Sequence, residues 1–149
     1  DSFEGFINVD EKKDGSHIDD GDYCVYRGYE KSLEELLRLH EENCPLPHIQ
    51  KFSLIKGDAS ITSKNWVNEN RHAIVAMAIF DMDIYQPTKD ALEAIKPKLV
   101  KGSVLVFDEL NCARFPGETE ALDEVMTLNN LKLHHHPHQP NAAWAIWGE

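Results

Sequence analysis

The run Ala73-Ile-Val-Ala-Met-Ala-Ile-Phe-Asp-Met-Asp83 decides how this chain is read. The unbroken apolar stretch, Ala73 to Phe80, is far shorter than the roughly 20 residues a membrane span needs. It also lacks the alternation of a strand with one wet face, so it is predicted to be a strand buried on both faces of a parallel sheet. The stretch ends in Asp81 and Asp83, which places carboxylates at the strand's carboxyl end. The same word recurs at Val104-Leu-Val-Phe107, a second buried strand running straight into Asp108 and Glu109.

Between these two strands, Pro87 sits where a first helical turn tolerates it, and Ala91, Leu92, Ile95 and Leu99 mark one helix face that Gly102 ends, with Pro97 kinking or stopping the last turn. Upstream, Phe52 to Ile55 reads as a short strand stopped by Gly57 and Asp58, and Ser63 to Asn70 as a short helix capped by Thr62 or Ser63. Leu33, Leu36, Leu37 and His40 recur at helical spacing and predict an amphipathic helix that begins at Ser32 and is ended by Pro45. Asp1 to Glu30 shows no sustained period and reads as a long loop, residues 8–30 forming either a lid or a disordered insertion. Downstream, Thr119 to Leu128 is a predicted helix, with Glu118, Glu120, Asp123 and Glu124 as a solvated charge run. Leu131 to His136 and Ala142 to Trp147 are two closing strands. The alternation specifies an α/β sheet with crossovers, one domain over residues 1–149 and no internal repeat.

Composition bounds the partners. With 42% hydrophobic and 28% charged residues in 149, the chain is expected to fold around one core. Its 15 Lys and Arg against 26 Asp and Glu give a formal charge of -11 with no basic stripe, a field that repels polyanions, so nucleic acid is not an expected partner. No segment reads as a membrane span or leader, and Cys24, Cys44 and Cys112 are spaced like reduced thiols, so a cytoplasmic setting is expected.

In open α/β sheets, ligands bind beyond the carboxyl ends of the strands. Adjacent strands would bring Asp81 and Asp83 beside Asp108 and Glu109, and these carboxylates repel one another unless a cation offsets them. Hard oxygen donors suit Mg²⁺, Ca²⁺ or Mn²⁺; the same acids also fit plain solvated strand ends or helix caps. Asp58, after Gly57, has the character of an acceptor for ribose hydroxyls or an adenine amine. Asp1-Ser-Phe-Glu-Gly5 could leave a preceding strand. Arg114 lies in a loop over the rim, where it could meet an anionic group. His134, His135, His136 and His138 read as a surface cluster or as imidazole ligands for Ni, Cu or Zn, and Trp66, Trp144 and Trp147 as core or as pocket walls.

Taken in order, Asp1-Ser-Phe-Glu-Gly5, Lys56-Gly-Asp58, Phe80-Asp-Met-Asp-Ile-Tyr-Gln-Pro-Thr88 and Gly102-Ser-Val-Leu-Val-Phe-Asp-Glu109 resemble class I S-adenosylmethionine-dependent methyltransferases, most closely the macrocin O-methyltransferase-like group and more distantly the catechol O-methyltransferase type. The resemblance runs from the second strand of that fold onward. It implies a Rossmann-like methyltransferase sheet with helices on both faces, S-adenosylmethionine as cofactor, and a small hydroxylated substrate such as a sugar or natural product. A homo-oligomer is compatible with it. It further implies that Asp1 and Ser2 lie at the cofactor ribose, that Gly57, Asp58 and Ala59 flank the adenine, and that Asp81 stands on the cofactor side as well. Asp81, Asp108 and Glu109 would hold Mg²⁺ or another divalent cation, Glu109 standing where the family often has Asp. Asp83 would be the general base.

The family's first strand and glycine-rich turn have no counterpart here: the glycines at 5, 15, 21, 28, 57, 102, 117 and 148 form no Gly-x-Gly. The chain therefore reads as the carboxyl-terminal portion of such an enzyme. A metal-dependent hydroxylase relative and a catalytically inactive binding module fit the same residues.

Overall fold

In the computed structural model, which describes residues 1–149, the five α-helices in chain order are α1 (Glu11–Asp14), α2 (Tyr29–Glu42), α3 (Ala59–Glu69), α4 (Tyr85–Ile95) and α5 (Gly117–Met126). The apolar run forms β1 (Val75–Phe80) and its echo forms β2 (Leu99–Phe107); β3 (Leu133–His136) and β4 (Gln139–Ile146) follow. β1 and β2 pair in parallel, with Met77 opposite Val104 and Phe80 opposite Phe107. That register brings both sets of strand-end acids to one rim. β4 runs antiparallel beside β2, and β3 pairs antiparallel with β4, so the sheet order is β1-β2-β4-β3.

A parallel pair needs a crossover, and here α4 supplies it, closing through a 3-10 turn at Lys96–Lys98 that places Pro97 just past the α-helix. α4 packs between α3 and α5. Ala91 and Leu92 of α4 and Leu122 and Met126 of α5 meet Phe80, Leu105, Phe107 and Ala143 of the sheet in the main core, where the Phe80 and Phe107 rings stack with centroids 5.0 Å apart. A smaller core joins Ile18, Ile84 and Phe115, with Phe6 and Val9 against it. Residues 8–30 thus contribute a one-turn helix, capped by Asp10, and a buried isoleucine. No helix is long and apolar enough to cross a membrane.

Three expectations are corrected. The run Ala73–Phe80 is not buried on both faces: Phe80 is, whereas Met77 and Ile79 are 57% and 68% exposed. β1 is an edge strand, and alternate residues point to opposite faces, so Phe80 meets the helices while Met77 and Ile79 face outward. Phe52–Ile55 is not a strand of the sheet. A strand exists where a neighbour completes its hydrogen bonds, and the contacts this segment finds are with Asp1: the Asp1 backbone nitrogen donates to the Ile55 carbonyl at 3.3 Å, and Gly57 N–H donates to the Asp1 carbonyl at 3.0 Å. Finally, α3 begins four residues earlier than Ser63, because Asp58 rather than Thr62 or Ser63 is its cap, accepting from Ser60 N–H at 2.8 Å.

Candidate active site

A cavity of about 370 Å³ opens beside the carboxyl end of β1. Asp1, Ser2, Asp58, Ala59, Asp81 and Asp83 all line it, brought together from three separate stretches of chain. The apolar wall includes Phe3, Phe6, Tyr23, Val25, Ile79 and Pro87. Gly57 is not part of the lining; it makes the turn between the Phe52–Ile55 segment and α3, where an added Cβ would stand 2.9 Å from Thr62 Cγ2. Three of these lining residues, Asp1, Ser2 and Asp58, already make local hydrogen bonds. Asp1 Oδ1 accepts from Phe3 N–H at 2.6 Å, and Ser2 Oγ accepts from Glu4 N–H while donating to the Gly5 carbonyl. Asp58 caps α3 with one oxygen and receives Asn8 Nδ2 on the other at 3.4 Å.

Asp108 and Glu109, at the end of β2, lie outside that cavity's lining but close enough to act on its acids electrostatically. Burial first, then Asp108 and Glu109, push the Asp81 carboxyl above its ordinary value. Burial, followed by the charges of Asp81, Glu109 and Asp108, raises Asp83 to about 6. Asp83 itself stands in the left-handed region, at φ +59°. Asn141 Nδ2 donates to Glu109 Oε2 at 3.3 Å.

The architecture matches solved small-molecule methyltransferases. A crystal structure of CalS11, calicheamicin methyltransferase, superposes with a TM-score of 0.92 at 36% identity over 100% of this chain and 59% of that one. The apo structure of CalS11, TDP-rhamnose 3'-O-methyltransferase, gives 0.80 at 39% identity over 85% of this chain and 56% of its own. This is the class I S-adenosylmethionine-dependent methyltransferase fold. The O-methyltransferase NovP shares that fold at a TM-score of 0.61 and 19% identity, covering 98% of this chain and 57% of NovP. The chain therefore spans little more than half the length of the methyltransferases it matches. No protein-family model matches it, and no curated sequence does.

Within the methyltransferase fold, the rim holds one acid that the sequence reading assigned wrongly. Glu118 was expected in a solvated charge run; instead it is fully buried. Its Oε1 accepts from Glu109 N–H at 3.4 Å, and its Oε2 has no partner. Burial, with the nearby charges of Asp83, Asp108 and Glu109 adding to it, raises its carboxyl to about 8. The signal was present in the spacing: Glu118, Ala121 and Leu122 stand at i, i+3 and i+4, so they share the inward face of α5. Arg114 is exposed and reaches the Tyr23 hydroxyl at 3.4 Å, beside the cavity wall. His134 stacks on Trp144 and pairs with Glu149 at 3.3 Å.

The rim's fit to a divalent cation can be judged from its donors. Asp81, Asp83, Asp108, Glu109 and Glu118 form no ion pair with any Lys, Arg or His. All their donors are hard oxygens, and Glu118 adds a buried carboxylate atom without a partner. That chemistry suits Mg²⁺, although no three His, Cys, Asp or Glu side chains converge into a ready ligand set in this arrangement.

Proposed function

We propose that this chain is the carboxyl-terminal portion of an S-adenosylmethionine-dependent O-methyltransferase that acts on a hydroxyl of a small molecule, a sugar or other natural product, with assistance from Mg²⁺ or another divalent cation. The observation that carries this reading is the cavity in which Asp1, Ser2, Asp58 and Ala59 share one wall system with Asp81 and Asp83. Asp1 and Ser2 would bind the cofactor ribose, and Asp58 and Ala59, turned by Gly57, would bracket its adenine. Asp81, Asp108 and Glu109 would hold the cation, which when bound lowers the acceptor hydroxyl's pKa.

Asp83 is the general base of this reading. S-adenosylmethionine, when bound, would supply the methyl group and leave as S-adenosylhomocysteine, and Asp83 would take up the proton of the acceptor hydroxyl. A carboxyl near its ordinary value is a weak match for an alcohol; at about 6, Asp83 is a stronger base while still ionised at neutral pH. The walls formed by Phe3, Phe6, Tyr23 and Val25 would keep water from the sulfonium. Three free cysteines fit a cytoplasmic setting.

A second reading is a binding module of the same fold without activity, which would present the exposed apolar sheet face that carries Met77 and Ile79. Calorimetric titration of S-adenosylhomocysteine, with and without Mg²⁺, separates the two when run on this chain and on a polypeptide extended ahead of Asp1. Binding in the extended polypeptide supports the enzyme; absence of binding in both supports the module. Because CalS11 is a TDP-rhamnose 3'-O-methyltransferase, TDP-rhamnose is the first acceptor to try, with the gain of one methyl read by mass spectrometry.

A further inference from the structure

We propose that Asp14 is a positioning residue that holds Asp83 in its reactive conformation by clamping the first turn of α4. The importance of Asp83 as base rests on the function proposed above; the clamp rests on geometry alone. Asp83 follows β1 directly and has φ +59°, a conformation uncommon for any residue but glycine. Ile84 N–H donates to the Met82 carbonyl at 2.6 Å, closing a three-residue turn with Asp83 at its centre. Such a backbone persists only where its surroundings over-determine it.

The restraint begins with the next two residues. The Ile84 side chain is 1% exposed and sits in the small core with Ile18 and Phe115. Tyr85 N–H, the first of α4, donates to Asp14 Oδ1 at 2.6 Å. Helix N-termini leave backbone donors without intrahelical partners, and the capping position of α4 is Ile84, which has no side-chain acceptor to offer. Asp14, 71 residues away in sequence, supplies that acceptor. Its carboxylate is completely buried, and its other oxygen accepts Asp10 N–H at 2.8 Å, so it is itself held from behind.

Two neighbours are shaped around the same contact. Lys13 places its ammonium 4.3 Å from the Tyr85 ring centroid. Gly117, first residue of α5, leaves the space in which carboxylate and helix meet: a Cβ there would stand 2.0 Å from Asp14 Oδ1 and 2.4 Å from Tyr85 N. A general base must lie within hydrogen-bond reach of its proton, and a displacement of about 1 Å can lower a rate about 10²-fold. Segment 8–30 therefore reaches the chemistry through the backbone of Asp83.

NMR tests this without an acceptor. In the unmodified protein, a through-hydrogen-bond coupling is expected between Tyr85 amide nitrogen and the Asp14 carboxyl carbon. In Asp14→Ala, residual dipolar couplings should show Asp83 leaving positive φ while the resonances of β2 and β4 stay in place. Asp14→Asn, which keeps an oxygen for Tyr85 N–H, should restore it. Asp14→Ser, able to satisfy Asp10 but too short for Tyr85, carries the same expectation as alanine if the alanine variant does not fold. A missing coupling, or an Asp83 that keeps positive φ in the folded Ala or Ser variant, overturns the clamp. With TDP-rhamnose turned over, kcat in Asp14→Ala should fall about 10²-fold with the KM for S-adenosylmethionine unchanged and recover in Asp14→Asn. No turnover in any variant counts against the proposed acceptor and leaves the NMR result to decide the clamp.

Discussion

α2 and α4 are both amphipathic helices, yet only one has a core to face. α4 buries Tyr85, Pro87, Thr88, Asp90, Ala91 and Leu92, whereas α2 buries no residue and leaves Leu36 and Leu39 about half exposed. α4 lies between α3 and α5 against Phe80, Leu105 and Phe107. α2 is followed by a segment whose own apolar residues, Leu46, Ile49 and Ile55, are open as well. The sheet shows the same contrast between Phe107, which is fully buried, and Ile79, which is not. Amphipathic spacing belongs to the helix; burial belongs to whatever stands opposite it.

The contrast is broken most directly by Leu92→Ala on α4, set against Leu36→Ala on α2. Denaturant unfolding should show a loss of about 2–5 kcal/mol for the first and a change within about 0.5 kcal/mol for the second. Similar losses at both sites would mean that α2 has a partner in solution. The acid rim lies on the well-packed side, and Mg²⁺ at about 100 times its Kd should raise stability by about 2.7 kcal/mol. Asp108→Asn should remove most of that gain, and a chelator should remove all of it.

Glu118 sharpens the comparison from within α5, since a charged residue there occupies a packed position. Its carboxyl stands at about 8 in the folded protein against an ordinary 4.5. The folded state therefore holds this proton longer than the unfolded one, and stability should fall as pH rises from about 4.5 to about 8, then level off. Glu118→Gln should abolish that slope in metal-free protein and be the more stable form at pH 8, by on the order of 1–3 kcal/mol. Asp83, raised to about 6, contributes a smaller fall of the same sign between about 4 and 6; methyl transfer should rise through the same window as the base ionises. The smallest effect is expected at Ile79→Ser, within about 0.5 kcal/mol on stability, with weaker self-association in sedimentation velocity because an exposed apolar position on the sheet face has been made polar.

Much of the cavity's polar lining was legible in the chain. The two apolar words ending in acids became parallel neighbours, and Asp1, Ser2, Asp58, Ala59, Asp81 and Asp83 did meet at one cavity. Asp58, Asp81 and Asp83 could be read because each lies where an element begins or ends, a place marked locally by a change from apolar to polar residues; Asp1, Ser2 and Ala59 were implied only by the family resemblance. Glu118 escapes a reading by charge because its phase on α5, shared with Ala121 and Leu122, sets its burial. Asp14 gave no local sign, since its partner lies on α4 and the space it needs is left by a glycine on α5.

By itself, the sequence determined the order and type of the main elements, the acids that end β1 and β2, and the helical crossover between them, because periodicity and chain-stopping residues act over a few positions. Only the tertiary structure decided that Glu118 is buried and that Asp14 caps a helix 71 residues away. Those outcomes depend on which surfaces meet, and a surface's neighbour is set by the packing of the whole chain.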